Sequence, residues 1–268
     1  MMRIYEGGNA IPTSTPVEQQ DVPTVVAAAK REMPQPFIKR LQLNIGSAGF
    51  KIDATGKPIP SGDIDLMIEA EDAVAIFKTQ DHPKDPVLAA KKAMQTYFAA
   101  KGIEANVNGR NVSIGIVYQA KSGEQKTAQV DLMVIQDAAI VAPYHQHGPR
   151  GMYSDPAFKG QANFVLMSSI AKHLGLKFDA FGAKLANRET GEVVGRTRDE
   201  VAKILLTPQA TGDDLNSVKS MIAAMANDPD KDAKLAQARG DAAKGLITLP
   251  ESRTNSPTDW FRNITKLL

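Results

Sequence analysis

The chain has 268 residues, 43% hydrophobic and 23% charged, with a net charge of +2; that is enough for one large domain or two modest ones, and the charge neither requires nor excludes a nucleic-acid partner. It contains no cysteine, which excludes disulfides, thiolate catalysis and cysteine-ligated zinc. No apolar run approaches membrane-spanning length and Met1 to Gln20 lacks the apolar core of a signal peptide, so a soluble, cytoplasmic protein with no membrane partner is expected.

Residues 1–33 begin as a polar, extended arm with Gly7, Gly8, Pro12, Pro16 and Pro23, set apart from the core. Pro23 opens a helix over Thr24 to Glu32, and a short helix at Phe37 to Leu41 leads into a strand, Gln42 to Ile45. Ile64 to Ile68 alternates as a strand, with Asp63, Asp65, Met67 and Glu69 on one face and Ile64, Leu66 and Ile68 on the other. Asp85 to Lys101 carries Val87, Leu88, Met94, Tyr97 and Phe98 at helical spacing and stops at Gly102. Three strands follow, Ile103 to Val107, Asn111 to Tyr118 and Lys126 to Ile135, so that 34–142 reads as a sheet with a long helix packed on it. A loop rich in Pro, His and Gly occupies 143–160. Over 161–208 come a helix (Gln161 to Leu174), a hairpin (Ala183 to Arg196) turning at Glu189-Thr190-Gly191, and a helix (Asp199 to Leu206). The remainder, 209–268, reads as helices over Asp213 to Ala226, Lys231 to Lys244 and Pro257 to Leu268. The expected class is mixed α+β.

Three acids carry the sharpest chemical signal. Asp63 and Asp65 are two residues apart on a strand, so their carboxylates point the same way from an otherwise apolar segment. Like charges so placed repel by several kcal/mol where water is scarce, unless a cation lies between them. Asp131 repeats the context between Val130 and Leu132, where an ionised carboxylate is costly without a metal or a cationic partner. Hard oxygen ligands suit Mg2+ or Mn2+ rather than zinc, and two such ions serve in-line displacement at phosphorus. Upstream, Gly46 lets the chain turn tightly at the end of a strand, and the Ser47 hydroxyl with nearby amides is suited to phosphate oxygens. An Asp-x-Asp pair alone is ordinarily a solvated turn or strand edge. The ordered set, each member in a strand context, points to transfer from a nucleoside triphosphate.

Gly46-Ser47, then Gly62-Asp63-Ile64-Asp65-Leu66-Met67, then Val130-Asp131-Leu132-Met133 resembles the polymerase-β-type nucleotidyltransferases. Downstream, Phe158-Lys159-Gly160, a helix, Gly175-Leu176-Lys177-Phe178, Arg188-Glu189-Thr190-Gly191-Glu192-Val193-Val194 and a helix led by Asp199-Glu200 look like the thumb of family X DNA polymerases. The resemblance spans roughly Leu41 to Leu206. It implies a nucleotidyltransferase palm at 34–142, a thumb-like lobe at 161–208 and a helical C-terminal extension. It also implies that Asp63 and Asp65 bind two Mg2+ or Mn2+ ions, that Asp131 completes the site on the side of the attacking hydroxyl, and that Gly46, Ser47, Lys51, Gly62, Phe158 and Gly160 contact the nucleotide. Lys51 alone supplies charge where relatives place arginines after the glycine-serine pair, and Gln129 stands where an arginine often precedes the third acid.

Other residues invite a plainer reading. His145 and His147 with Arg150 could bind phosphate or a metal, but such a loop is more often polar surface. Lys159, Lys172 and Lys177 read as solvation before nucleic-acid contact. Trp260, Phe261, Ile264 and Leu267 form an amphipathic C-terminal stripe that docks on the body or, less commonly, on a partner. The expected activity is transfer of a nucleoside monophosphate from a (deoxy)nucleoside triphosphate, such as ATP, to a hydroxyl, with a nucleic-acid primer or RNA 3′ end as acceptor. The rivals are a tRNA, protein or small-molecule acceptor, and a non-catalytic binding module with the same fold.

Overall fold

Alternation along two β-strands builds the centre of the first part of the molecule. In the computed structural model the described residues are 10–46, 48, 57–77, 85–109, 111–145, 161–180, 182 and 184–243. The fold is mixed α+β. It divides between Ala142 and Pro143 into two units, each with its own core.

In the first unit, β1 (Gln42–Ile45), β2 (Ile64–Glu69), β3 (Ala105–Asn108), β4 (Asn111–Gln119) and β5 (Gln125–Ile135) form a five-stranded sheet in the order β1-β2-β5-β4-β3. Only β2 and β5 run parallel; the other neighbours are antiparallel. One face is apolar: Ile64, Leu66 and Ile68 of β2, Val130, Leu132 and Val134 of β5, and Val112, Ile114 and Ile116 of β4 all enter one buried cluster. Helices α1 (Val22–Glu32) and α4 (Pro86–Ala100) cover it with Val25, Ala28, Ala29, Ala90, Met94 and Phe98. Helix α4 starts at Asp85, whose carboxylate accepts from the Leu88 N–H at 2.9 Å, a side-chain cap that satisfies one orphan donor. Complete burial of Met94 and Phe98 contributes about 1.5–3 kcal/mol each, so Phe98→Ala should cost about 3–5 kcal/mol.

The sequence reading differs from the fold in several places. The N-terminal arm, described from Ala10, turns at Ile11–Ser14 and passes through a 3-10 turn, Gln19–Asp21, before α1, and Ile11 and Val17 are fully buried. Its backbone joins the sheet: the Thr15 N–H donates to Thr127 O at 2.9 Å, and Val17 bridges Ser61 with bonds of 2.7 and 2.9 Å. Two isolated apolar residues among prolines carry no periodicity, which is why they read as an arm. Helices α2 (Gln35–Ile38) and α3 (Ala70–Ile76) are short, and α3 follows β2 with no turn signal between them. Helix α5 (Ala138–His145) runs through Pro143, so the first residues of the expected linker are helical. Its start is fixed by Glu69, whose carboxylate accepts from the Asp137 and Ala138 N–H groups at 2.8 and 2.5 Å.

The second unit holds a sheet of β6 (Leu176–Asp179), β7 (Lys184–Asn187) and β8 (Val193–Gly195) in that order, all antiparallel. The expected hairpin is β7–β8; β6 was not foreseen as a strand. Helix α6 (Gln161–His173) packs on β6 and on α9 (Lys231–Ala243). Helix α7 (Arg198–Leu205) begins with a reciprocal cap between Thr197 and Glu200. The single helix expected from Asp213 is two pieces, a 3-10 turn (Gly212–Asn216) and α8 (Val218–Ala224). Ser217 separates them, because its hydroxyl accepts from the Ser220 N–H at 2.9 Å and caps α8, a local bond that competes with helix continuation.

Several charged groups of this unit are paired. Lys234 Nζ lies 2.6 Å from Asp228, with side-chain exposures of 6% and 9%, and also donates to Leu206 O. Lys172, exposed as expected, pairs with the buried Asp241 at 2.5 Å, and His173 pairs with Asp230 at 2.8 Å. His145, expected on a polar surface, is buried, with Nε2 3.2 Å from Ala180 O and its ring against Phe164. Helical continuation through Pro143 carries it inward. Burial pushes the Tyr144 phenol up and pulls the Arg198 guanidinium down. Arg198 donates to the carbonyls of Pro143 and Gly212 and to Asn216. Among the described residues no helix is long and apolar enough to cross a membrane. The expected C-terminal helix, with Trp260, Phe261, Ile264 and Leu267, lies outside the described residues, as do His147, Arg150 and Lys159.

Candidate active site

The face of the first sheet away from α1 and α4 carries the polar residues. Asp65 of β2 is the register partner of Asp131 of β5, and Asp131 in turn faces Ser113 of β4. Register partners on parallel neighbours project from the same face, with strands about 4.8 Å apart. Asp63 lies two residues upstream at the entrance to β2, about 7 Å further along an extended chain. At a separation equal to the strand spacing, two bare carboxylates would repel by about 1 kcal/mol in bulk water and about 3 kcal/mol at an effective dielectric of 20. A cation relieves that cost.

The turn after β1 closes on the first of these acids. Gly46 has φ +74°, and a Cβ added there would stand 2.2 Å from Asp65 Oδ2 and 3.0 Å from its Cγ. Only glycine allows both this backbone conformation and so close an approach. Gly62 precedes Asp63 and is half-buried. Ser47, Lys51, Phe158 and Gly160 lie outside the described residues.

Asp131 is 7% exposed, and amides meet both its oxygens: Gln129 Nε2 donates to Oδ1 at 2.9 Å and Asn111 Nδ2 to Oδ2 at 3.2 Å. Gln129 Oε1 accepts from the Ala10 and Ile11 N–H groups at 2.9 and 3.2 Å. These two backbone donors fix which end of the amide is oxygen, and so which end faces Asp131. Neither Gln129 nor Asn111 was picked out as a partner of Asp131 from the sequence. The one signal was a buried-strand Gln at the same parity as the acid. Glu69, on the same face as Asp63 and Asp65, is drawn off to cap α5.

The donor chemistry fits a hard divalent ion, since Asp63, Asp65 and Asp131 offer carboxylate oxygens only and two of them are strand neighbours. Among the described residues, however, no three His, Asp or Glu side chains are gathered closely enough to hold an ion. The structure brings Asp65 and Asp131 side by side and leaves Asp63 at the strand entrance. The sequence matches no protein-family model and no curated protein.

Proposed function

We propose that this chain is a metal-dependent nucleotidyltransferase: an acceptor hydroxyl displaces pyrophosphate from the α-phosphorus of a nucleoside triphosphate. The supporting observation is the in-register pairing of Asp65 with Asp131 on the sheet face opposite the core, with Gly46 turned against Asp65. On this reading the first unit acts as the palm, and the hairpin β7–β8 followed by α7 belongs to a thumb-like lobe. Asp63 and Asp65 anchor the ion that travels with the triphosphate. Asp131 serves the side of the attacking hydroxyl, and Ser47 and Lys51 take the phosphates. Phe158 and Gly160 contact the nucleotide. Bound Mg2+ or Mn2+ would lower the cost of deprotonating the hydroxyl and of charge on the leaving pyrophosphate. The proposed acceptor is a nucleic-acid 3′ end, ahead of a tRNA, a protein or a small molecule.

A second reading, a non-catalytic module of the same fold, draws support from the two amides that already occupy the oxygens of Asp131. Incubation with each labelled triphosphate, Mg2+ or Mn2+, and a panel of DNA primers, RNAs and no added acceptor separates the two. Transfer by the wild type that is lost in Asp131→Asn supports the enzyme. No transfer and no metal-dependent triphosphate binding across the panel leaves the module.

A further inference from the structure

Gln129 is 2% exposed in the middle of β5, on the polar face, and every hydrogen-bonding end of its amide that the structure describes is engaged. A buried side-chain amide without partners costs about 1–3 kcal/mol, so its retention here depends on those bonds. Its oxygen is held by the backbone of Ala10 and Ile11, and its nitrogen is thereby aimed at Asp131 Oδ1.

The segment that holds it is itself anchored. Ile11 is 1% exposed and its side chain lies against Gly115 of β4, where a Cβ would come within 3.1 Å of it. Asn106 Nδ2 donates to Ala10 O at 2.8 Å. Further on, the Thr15 N–H donates to β5 and Val17 bridges Ser61, two residues before Asp63. One stretch of chain, Ala10 to Val17, therefore touches the strand of Asp131 and the approach to Asp63.

We propose that Gln129 is a positioning residue, through which the N-terminal segment Ala10–Val17 holds Asp131 in a fixed orientation toward the attacking hydroxyl. The proposal rests on the transferase reading and goes beyond it by giving the N-terminal segment a part in the site. Asp131 offers two oxygens; an amide clamped on Oδ1 restricts rotation of the carboxylate and leaves it fewer ways to turn from the reacting groups. Supporting residues of this kind typically change activity or metal affinity by about 10- to 100-fold when replaced.

Two full-length variants test it. Gln129→Glu keeps an acceptor for Ala10 and Ile11 but replaces the amide donor to Asp131 with a carboxyl, which reaches Asp131 only when protonated. Its kcat is therefore read above the pH at which that proton is lost; Gln129→Met removes both acceptor and donor. Three quantities are read: kcat and KM for transfer, calorimetric binding of a non-hydrolysable triphosphate with Mn2+, and hydrogen exchange at the Ala10 and Ile11 amides. The expected result is a fall in kcat of about 10- to 100-fold in both variants, with triphosphate affinity within about twofold because Asp63 and Asp65 are untouched. Exchange at Ala10 and Ile11 should stay slow in Gln129→Glu and become at least about tenfold faster in Gln129→Met. If wild type binds and transfers and a folded Gln129→Glu matches its kcat, the positioning role is overturned while the transferase reading stands. Rapid exchange at Ala10 and Ile11 in the wild type also overturns it, since the clamp would then not be held. If wild type neither binds the Mn2+ triphosphate nor transfers, the transferase reading falls and takes the positioning role with it.

Discussion

Gly46→Ala is the substitution whose effect can be worked most directly from the geometry. Alanine at φ +74° pays for the left-handed region, about 1–2 kcal/mol. Its Cβ would also stand 2.2 Å from Asp65 Oδ2, well inside normal contact, and the carboxylate can clear it only by leaving its rotamer, at about 0.5–1.5 kcal/mol more. The sum is about 1.5–3.5 kcal/mol. Gly102→Ala is a matched control in the same unit: its φ is +75° and an added Cβ meets nothing within 4 Å, so only the backbone cost applies. Urea dependence of amide exchange in β2 and β5 reads the stability of this unit by itself. Calorimetry with Mn2+ and a non-hydrolysable triphosphate reads the position of Asp65. Gly46→Ala should be the less stable of the two by about 1 kcal/mol and should weaken binding about tenfold or more, whereas Gly102→Ala binds as wild type does. Equal stabilities and equal affinities in the two variants would refute the claim that the turn at Gly46 and the carboxylate of Asp65 constrain each other.

Asp131→Asn should abolish transfer with triphosphate binding within about twofold, whereas Asp63→Asn should weaken both; labelled transfer beside calorimetry separates the two acids. In the second unit, Lys234→Met should cost about 3–5 kcal/mol by leaving the Asp228 carboxylate buried without its cation, and adding Asp228→Leu should recover most of it, read by urea-dependent amide exchange in α9. Burial pushes the Asp228 carboxyl up, but the hydrogen bond from Lys234, the Asp230 N–H and the Lys234 charge together hold it below the usual carboxylate range. A folded value below the unfolded one means this contribution is complete above about pH 4 and is lost as pH falls through the lowered value. The acid sensitivity of α9 exchange should therefore shrink in the double variant; unchanged sensitivity would remove Asp228 from the account. Thr197→Ala removes the cap of α7 and should cost about 1 kcal/mol, checked by thermal unfolding; a loss below about 0.3 kcal/mol would mean the cap is redundant.

The strands and long helices were legible because their periods were long and clean. Ile64 to Ile68 and Lys126 to Ile135 announce a sheet whose two faces differ, and Asp85 to Gly102 carries both its cap and its stop. Short elements were not legible where a single side chain decides them. The break at Ser217 depends on its hydroxyl finding the Ser220 N–H, and α5 depends on Glu69, far upstream, reaching Asp137 and Ala138. Ile11 and Val17 read as parts of an arm because burial of an isolated apolar residue is settled by what lies opposite it. For Ile11 that is Gly115, whose missing side chain leaves the room. The three acids were visible as an ordered set, but their spacing was not. Sequence gives parity along a strand; the pairing partner and its register come only from the whole sheet.

That register explains why the carboxylates align at all. No attraction draws Asp65 to Asp131; alone, they repel. What places them level is the opposite face, where Ile64, Leu66 and Ile68 sit beside Val130, Leu132 and Val134 as direct partners. Sliding β5 by one residue would turn all three β5 residues away from α1 and α4 and set Asp131 into the apolar cluster. Each of those residues contributes about 1.5–3 kcal/mol by its burial, so the slip costs more than the repulsion of at most about 3 kcal/mol that two carboxylates at the strand spacing would impose. The core thus sets two acidic residues at neighbouring register positions, whatever their charges would prefer. A cation set between two such carboxylates would be stabilised by relief of their repulsion, so on the proposed reading an ion bound there would draw part of its affinity from the hydrophobic face behind it.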